Sequence, residues 1–304
     1  MAAMADATFT AVDLSRMPAP DIVEELSFET LVAQAVAQMK AEMLASGLTF
    51  ERRDSDPATK LLQTFAYFAQ LLRQRINDAT RAVMPAYAVG TDLDNIAALF
   101  GIARLTIAPA DPLTGTPILM ESDADFRRRM VLAPEGYSVA GPEGAYVFHA
   151  LSAAAGVLDA SATSPSPGVV IVSVLSRQGN GAAAQDLLDT VEAYVSAETR
   201  RPLTDFVTVQ SAGIVPYAVN ASIKTFGGPD SGVVMKAARD SLDAFIANSQ
   251  RLGRDIPRSA LFRALHVEGV QNVTLASPAA DVVIGRTQAA YCTGIALQFS
   301  GVDE

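Results

Sequence analysis

The chain has 304 residues, half of them apolar and 18% charged, with 33 acids against 23 bases for a formal net charge of −10. That is long enough for about two domains and a core without staples, too apolar for gross disorder, and too acidic for a general nucleic-acid binder. One cysteine, Cys292, closes no intrachain disulfide; two histidines, His149 and His266, nearly exclude a His/Cys zinc site; no apolar run is long enough to span a membrane.

Residues 1–20 read as an extended arm. They lack the basic and apolar regions of a signal peptide, and Met17-Pro18-Ala19-Pro20 holds the chain out of helix. Ser27 is a candidate N-cap for a helix over about 28–46, stopped by Gly47, with Phe28, Leu31, Val32, Ala35, Val36, Met39 and Met43 on one stripe. Asp56-Pro57 opens a second helix that can run to about Ala88, roughly 48 Å, with Pro85 placed to kink it or end it early. Its inner stripe is Leu61, Leu62, Phe65, Phe68, Ala69, Leu72 and Ile76, and Arg73, Arg75 and Arg81 crowd its second half, where the helix dipole favours positive charge. Thr91-x-x-Asp94 resembles a capping box for a short helix ending at Gly101.

Pro109, Pro112 and Pro117 punctuate a connection that marks the first domain boundary. Ser122-x-x-Asp125 caps a helix carrying Arg127, Arg128 and Arg129, and Gly141-Pro142 starts another, to about Ala155. The period then changes. Val157–Thr163 and Val169–Leu175 read as strands around the turn Ser164-Pro165-Ser166-Pro167-Gly168. A helix at about 182–198, a strand Phe206–Gln210 and a long alternating strand through Val215–Ile223 come next. Helices at about 231–248 and from Pro257 onward precede strands filling 270–299. Gly156-Val157 with Ser164-Pro165 recurs as Gly269-Val270 with Ser277-Pro278. Each copy lies behind a proline-opened helix and ahead of an apolar run, VVIVSVL or DVVIG. The expected architecture is therefore α+β: an arm at 1–20, a helical bundling region at 21–105, and two related α/β units at 106–211 and 212–304.

No constellation demands chemistry. Glu121, Asp123 and Asp125 have the spacing of a calcium loop's start, but the glycine and terminal glutamate of such a loop are missing; acids in a helix's first turn explain them better. The arginine triplet is a candidate interface patch, because its forks of donors seek carboxylates. Gly179-Asn180-Gly181 and the Gly227-Gly228 loop each precede a helix and could hold an anion, but neither carries a P-loop lysine or a GxGxxG; tight loops fit better. There is no G-x-S-x-G, Cys292 lies in a strand context without a base, and the two histidines occupy parallel places before the echoed strands, which favours a structural role. No catalytic residue, metal ligand or cofactor-binding residue is expected. The interface candidates are Phe65, Phe68, Leu72 and Ile76, with Arg127, Arg128 and Arg129.

The order of segments resembles the baseplate assembly protein J family, wedge proteins of temperate phages with contractile tails. The blocks that carry the resemblance run end to end: LSRMPAPDIVEELSFETL, RQRINDATRAVMPAYAVGTDLDNIA, RLTIAPADP, MESDADFRRRM, SVAGPEGAY, TSPSPGVVIVSVLSRQGNG, DFVTVQSA and RLGRDIPRSALFRALHVEGVQNVTLASPAADVVIGRTQAAYC. The resemblance implies a structural role in the virion tail baseplate, without enzyme activity, cofactor, nucleic acid or membrane. It implies two copies joining a smaller wedge protein, N-terminal helices bundling with that partner, and α/β units meeting their counterparts in a ring around a central hub and spike. Two other classes, a tail-associated hydrolase and a small-anion binding module, remain as alternatives; the first needs a cleft with an activated acid or nucleophile.

Overall fold

The computed structural model describes residues 14, 17, 18, 20, 22–228 and 230–303. The arm expected at 1–20 lies almost wholly outside them. The chain divides into two compact units. One is helical and takes the described residues up to Ala103 together with Ser122–Arg127; the other takes Arg104–Glu121 and everything from Arg128 onward.

In the helical unit, α1 (Phe28–Ala45) and α2 (Pro57–Ala82) pack side by side. Both start where local chemistry dictates. The Ser27 hydroxyl accepts the Thr30 N–H at 3.3 Å, and the Asp56 carboxylate accepts the Ala58 N–H at 2.9 Å with Pro57 behind it. α2 is 26 residues, about 39 Å rather than 48 Å. Pro85 ends it early: it has no N–H to return to the Arg81 carbonyl, and its ring disfavours helix at the preceding residue. Leu31, Val32 and Val36 close on Ala66, with Phe28, Phe50 and Leu62 at the margins. Buried Asn77 fixes the chain entering α1, accepting the Glu24 N–H at 3.1 Å and donating to its carbonyl at 2.9 Å. The expected Thr91/Asp94 capping box does not form. α3 (Gly90–Ala98) starts two residues earlier, with Val89 rather than Thr91 at its N-cap; no side chain of its own caps it, and the Gly90 N–H donates to Asp123 Oδ2 at 3.1 Å.

In the other unit, β1 (Thr106–Ala108) and β2 (Leu119–Met120) form a short antiparallel hairpin. Helix α4 (Asp123–Leu132) comes next, with its end in this unit. After α5 (Glu143–Ala153), β3 (Val157–Ser166) turns back into β4 (Val169–Ser176), and α6 (Gln185–Val195) carries the chain to β5 (Phe206–Ser211), parallel to β4. β4 is the middle strand, which explains its unbroken apolar run. Tyr146, Val147 and Ala150 of α5 and Leu188, Val191 and Val195 of α6 share its core. The second sheet is built around β6 (Gly213–Phe226), flanked by antiparallel β7 (Val270–Ser277) and parallel β8 (Gln288–Asp303). Helices α7 (Ser231–Ser249) and α8 (Arg258–Leu265) cover it through Val234, Ala238, Leu242, Leu261 and Leu265. No helix among the described residues is long and apolar enough to cross a membrane.

The echoed segments take equivalent places: Val157 and Val270 each open an edge strand, behind a helix and antiparallel to the middle strand. The apolar runs after them diverge. VVIVSVL becomes β4, but DVVIG is no strand. Both sides of β6 are already taken, so Val282 bridges to Ile256 and the Ile284 N–H donates to Asp255 at 2.7 Å.

One ion pair ties the start of this unit together. Glu121 and Arg129 have side chains only 4% exposed. Arg129 Nε donates to Glu121 Oε1 at 3.1 Å and its Nη2 to Oε2 at 2.6 Å; Oε2 also accepts the Leu105 N–H at 3.2 Å. Replacing Arg129 by Met leaves a buried carboxylate without its charge partner and is expected to cost about 3–5 kcal/mol in urea unfolding. Adding Glu121→Gln, which removes the charge and keeps an acceptor for Leu105, should recover much of that loss. Equal losses in the single and double variants would show that the buried charge is not what the arginine serves.

Candidate assembly surface

α2 carries more apolar surface than α1 can cover. The positions that face α1 are Leu62 and Ala66, in line with buried Thr59 and Asn77. Ala66 is small enough for the helices to approach closely; Phe65, one residue or about 100° further round, is not. The stripe expected to face inward therefore divides. Leu62 and Ala69 are partly buried, whereas Leu61, Phe65, Phe68, Leu72 and Ile76 are each more than half exposed. Their spacing of four, three, four and four makes a continuous seam along the helix. Tyr67 and Leu71 widen it on one side. Monomeric soluble proteins seldom expose a contiguous apolar patch of large extent.

The three arginines are engaged within the chain. Arg127 Nε donates to the Pro85 carbonyl at 2.7 Å and its Nη2 to that of Ala88, holding the turn after α2. Arg128 donates to Asp159 at 2.7 Å, and Arg129 is buried against Glu121. Their partners lie 8 to 42 residues away in sequence, which is why the triplet reads as a surface patch in the sequence and is not one in the fold. The acidic cluster is spent in the same way. Glu121 serves Arg129 and Leu105, and Asp123 serves the start of α3. Among the described residues, no three His, Cys, Asp or Glu side chains converge as metal ligands. At the glycine loops, Asn180 accepts the Ala182 N–H at 3.1 Å, and Asp230 caps α7 by accepting the Gly232 N–H at 2.8 Å. A carboxylate already occupies the place an anion would need before α7.

The two histidines are not equivalent. His149 lies within α5, its ring 5.4 Å from Phe148 and 6.2 Å from Tyr194, with Nδ1 buried and unpartnered. His266 is the exposed C-cap of α8. Burial, and then the nearby Arg200, hold the His149 imidazole below the ordinary histidine range, against a hydrogen bond to the Gly136 backbone. Burial also pushes the Cys292 thiol up, away from the reactive thiolate. No motif points to a cleft of about 260 Å³ lined by Arg128, Glu143, Asp159, Ser161 and Arg286. Its charges come from four distant stretches of chain, and Arg128 and Arg286 are already paired with Asp159 and Glu143.

Three families match in chain order: the Baseplate J-like N-terminal domain over residues 54–111, the Baseplate J-like central domain over 138–211 and the Baseplate J-like protein C-terminal domain over 217–298. The baseplate protein J of Escherichia phage P2 is 49% identical over 302 residues, covering 96% of this chain and 99% of that protein. Among solved structures, a chain of the six-fold symmetrised anti-feeding prophage (AFP) baseplate aligns with 60% of this chain and 43% of its own length, at a TM-score of 0.39 and 15% identity.

A histidine whose folded pKa lies below its unfolded value binds fewer protons in the native chain than in the unfolded one. Stability is then complete above the unfolded value of about 6.5 and declines as pH falls below it. Urea unfolding at pH 7.5 and 5.5 should therefore show a larger acid loss for the parent chain than for His149→Gln. Equal losses would mean that His149 does not titrate differently on unfolding.

Proposed function

This chain belongs to the baseplate J-like family and is a structural component of a phage tail baseplate; we propose that it works there as a wedge protein. Two copies join a smaller wedge protein, and such wedges close into a ring around the central hub and spike. The exposed seam of Phe65, Phe68, Leu72 and Ile76 on α2 is the observation that supports this reading. Burying one side chain of that size is worth about 1.5–3 kcal/mol, and an α-helix draws most of its stability from the face it packs. In this reading the seam lies against helices of the other wedge subunits, and the α/β units supply the lateral contacts. Arg127, Arg128 and Arg129 serve the assembly indirectly by fixing the segments they bind. The role is structural: the candidate acid, thiol and imidazole groups are tied up or buried rather than poised.

Leu72→Asp tests the seam. Leu72 is 67% exposed, so the isolated chain should unfold within about 0.5 kcal/mol of the parent. Binding to the smaller wedge protein, read by mass in solution or calorimetry, should be lost, because the charge is buried only in the complex. A variant that melts far below the parent, or one that binds its partner normally, would defeat the bundle.

A further inference from the structure

The second sheet ends on a strand whose outer side has little protection. β8 is 16 residues long, roughly 50 Å and about three times the usual strand. From Gln288 to Val302 it contains no charged residue and no proline. Edge strands are normally kept short, charged or interrupted, because a row of unpaired N–H and C=O groups is a template for another chain. On its inner side β8 is laddered to β6 from Gly213↔Gln288 to Phe226↔Asp303. Among the described residues, its outer side is covered only at the start: Gly253 donates to the Gln288 carbonyl at 3.0 Å and Leu252 bridges to Ala289. Beyond Ala289 no described residue pairs with that edge. Bulges come after Cys292 and Phe299, and between them Gly294–Phe299 runs in straight register with Ala218–Ile223.

We infer that this straight stretch pairs edge to edge, antiparallel, with the same stretch of a second copy of this chain, joining two three-stranded sheets into one of six strands. Only the residue on the two-fold axis faces its own copy in such pairing, and a charge there would be destabilising, as would any two like charges set opposite each other across the ladder. This stretch carries none. Pairing centred on Ala296 sets Ile295 opposite Leu297 of the second copy, and Gly294 opposite Gln298. Ile295 and Leu297 lie on the core side, in register with Val219 and Ala221, but are only partly buried, and Phe299 beyond them is 47% exposed. The second copy's strand extends the core over these side chains, while on the other face Gln298 meets only Gly294 and Ala296 meets its own copy. A two-fold contact of this kind is self-complementary and uses up the outer side of β8 in both copies. A strand of opposite charge, by contrast, finds nothing to pair with here. The inference rests on the wedge reading and names the edge through which α/β units of neighbouring copies meet.

The test uses the full chain carrying Leu72→Asp, so that the α2 seam cannot associate. Light scattering at the highest concentration reached should show dimers. Adding Ala296→Lys, at an exposed position where two lysines face each other across the two-fold, should give monomers with an unchanged melting temperature. In a Cys292→Ala background, Ala296→Cys should crosslink under mild oxidation, since directly opposed residues lie within disulfide reach. Ala276→Cys, exposed on the opposite edge strand β7, should not. A Leu72→Asp chain that is monomeric throughout and forms no Ala296 crosslink would overturn the pairing. So would an Ala296→Lys chain that still dimerises, or equal crosslinking at Ala276. If the parent chain then still binds the smaller wedge protein and Leu72→Asp does not, the wedge reading stands without this edge.

Discussion

The strand-bearing unit is organised around one buried carboxylate. Asp159 is 2% exposed and sits where three stretches of chain meet. Its Oδ1 accepts Arg128 Nη2 of α4 at 2.7 Å and the N–H of Ala160 at 2.8 Å; its Oδ2 accepts the Leu252 N–H, from the loop between α7 and α8, at 2.9 Å. A bulge at the start of β3, where Val157 pairs with Ser176 but Asp159 with Leu175, places this side chain. Next to it, Arg251 donates to the Leu158 carbonyl at 3.1 Å. An ionised carboxylate taken out of water is costly unless its lone pairs are met by charge and hydrogen bonds together. Only the native arrangement of α4, the first sheet and the loop of the second supplies all of those partners at once.

Apolar contact completes the junction without fixing it. Leu175, Ala212 and Ala289 are fully or almost fully buried there, with Leu158, Ile214 and Leu252 against them. The covalent link between the sheets is short: β5 ends at Ser211 and β6 begins at Gly213. Elsewhere the same pattern recurs, with Glu121 and Arg129 at the head of the unit and Tyr146 donating to Asp205 at 2.7 Å beside the first sheet. Polar side chains are spent inside, on positioning. The seam on α2 and the outer side of β8, by contrast, are apolar or uncharged and face outward.

Where an element begins was legible in the sequence wherever the signal was local. Ser27, Asp56-Pro57, Pro142 and Pro257 each open the helix expected of them, and Pro85 stops α2. The family was legible too, through long ordered blocks rather than through any single residue's chemistry. Failures came where a choice depended on distant chain. Helical periodicity shows that α2 is apolar around Leu61–Ile76, but α2 has two apolar arcs, and only Ala66 packing on Val32 and Val36 decides which one is inside. The capping box at Thr91 lost to Asp123, 33 residues on from Gly90. DVVIG looks like a strand until the sheet it would join is seen to have both sides of β6 filled. Of the candidate interface residues, the four on α2 were legible as an apolar stripe but not as an exposed one. The arginines' partners, Pro85, Asp159 and Glu121, obey no spacing rule.

The hydrophobic effect has no direction; it holds surfaces together while leaving their angle free to slide. Hydrogen bonds to a fixed carboxylate have narrow geometry, and paired arginine donors add to that restriction. Buried ion pairs are poor sources of stability compared with apolar packing of the same volume, so stability alone does not explain why Asp159 and Glu121 are where they are. A ring gives a reason. In a closed cyclic assembly the angle between a subunit's two contact surfaces must return the last copy to the first, and a small error in each copy accumulates around the circle. A junction of apolar side chains alone would bring the two sheets together. The Asp159 clamp, with directed bonds from two separate segments, Arg128 of α4 and Leu252 of the loop between α7 and α8, also sets the angle between them, which is the property that the proposed ring requires of every copy.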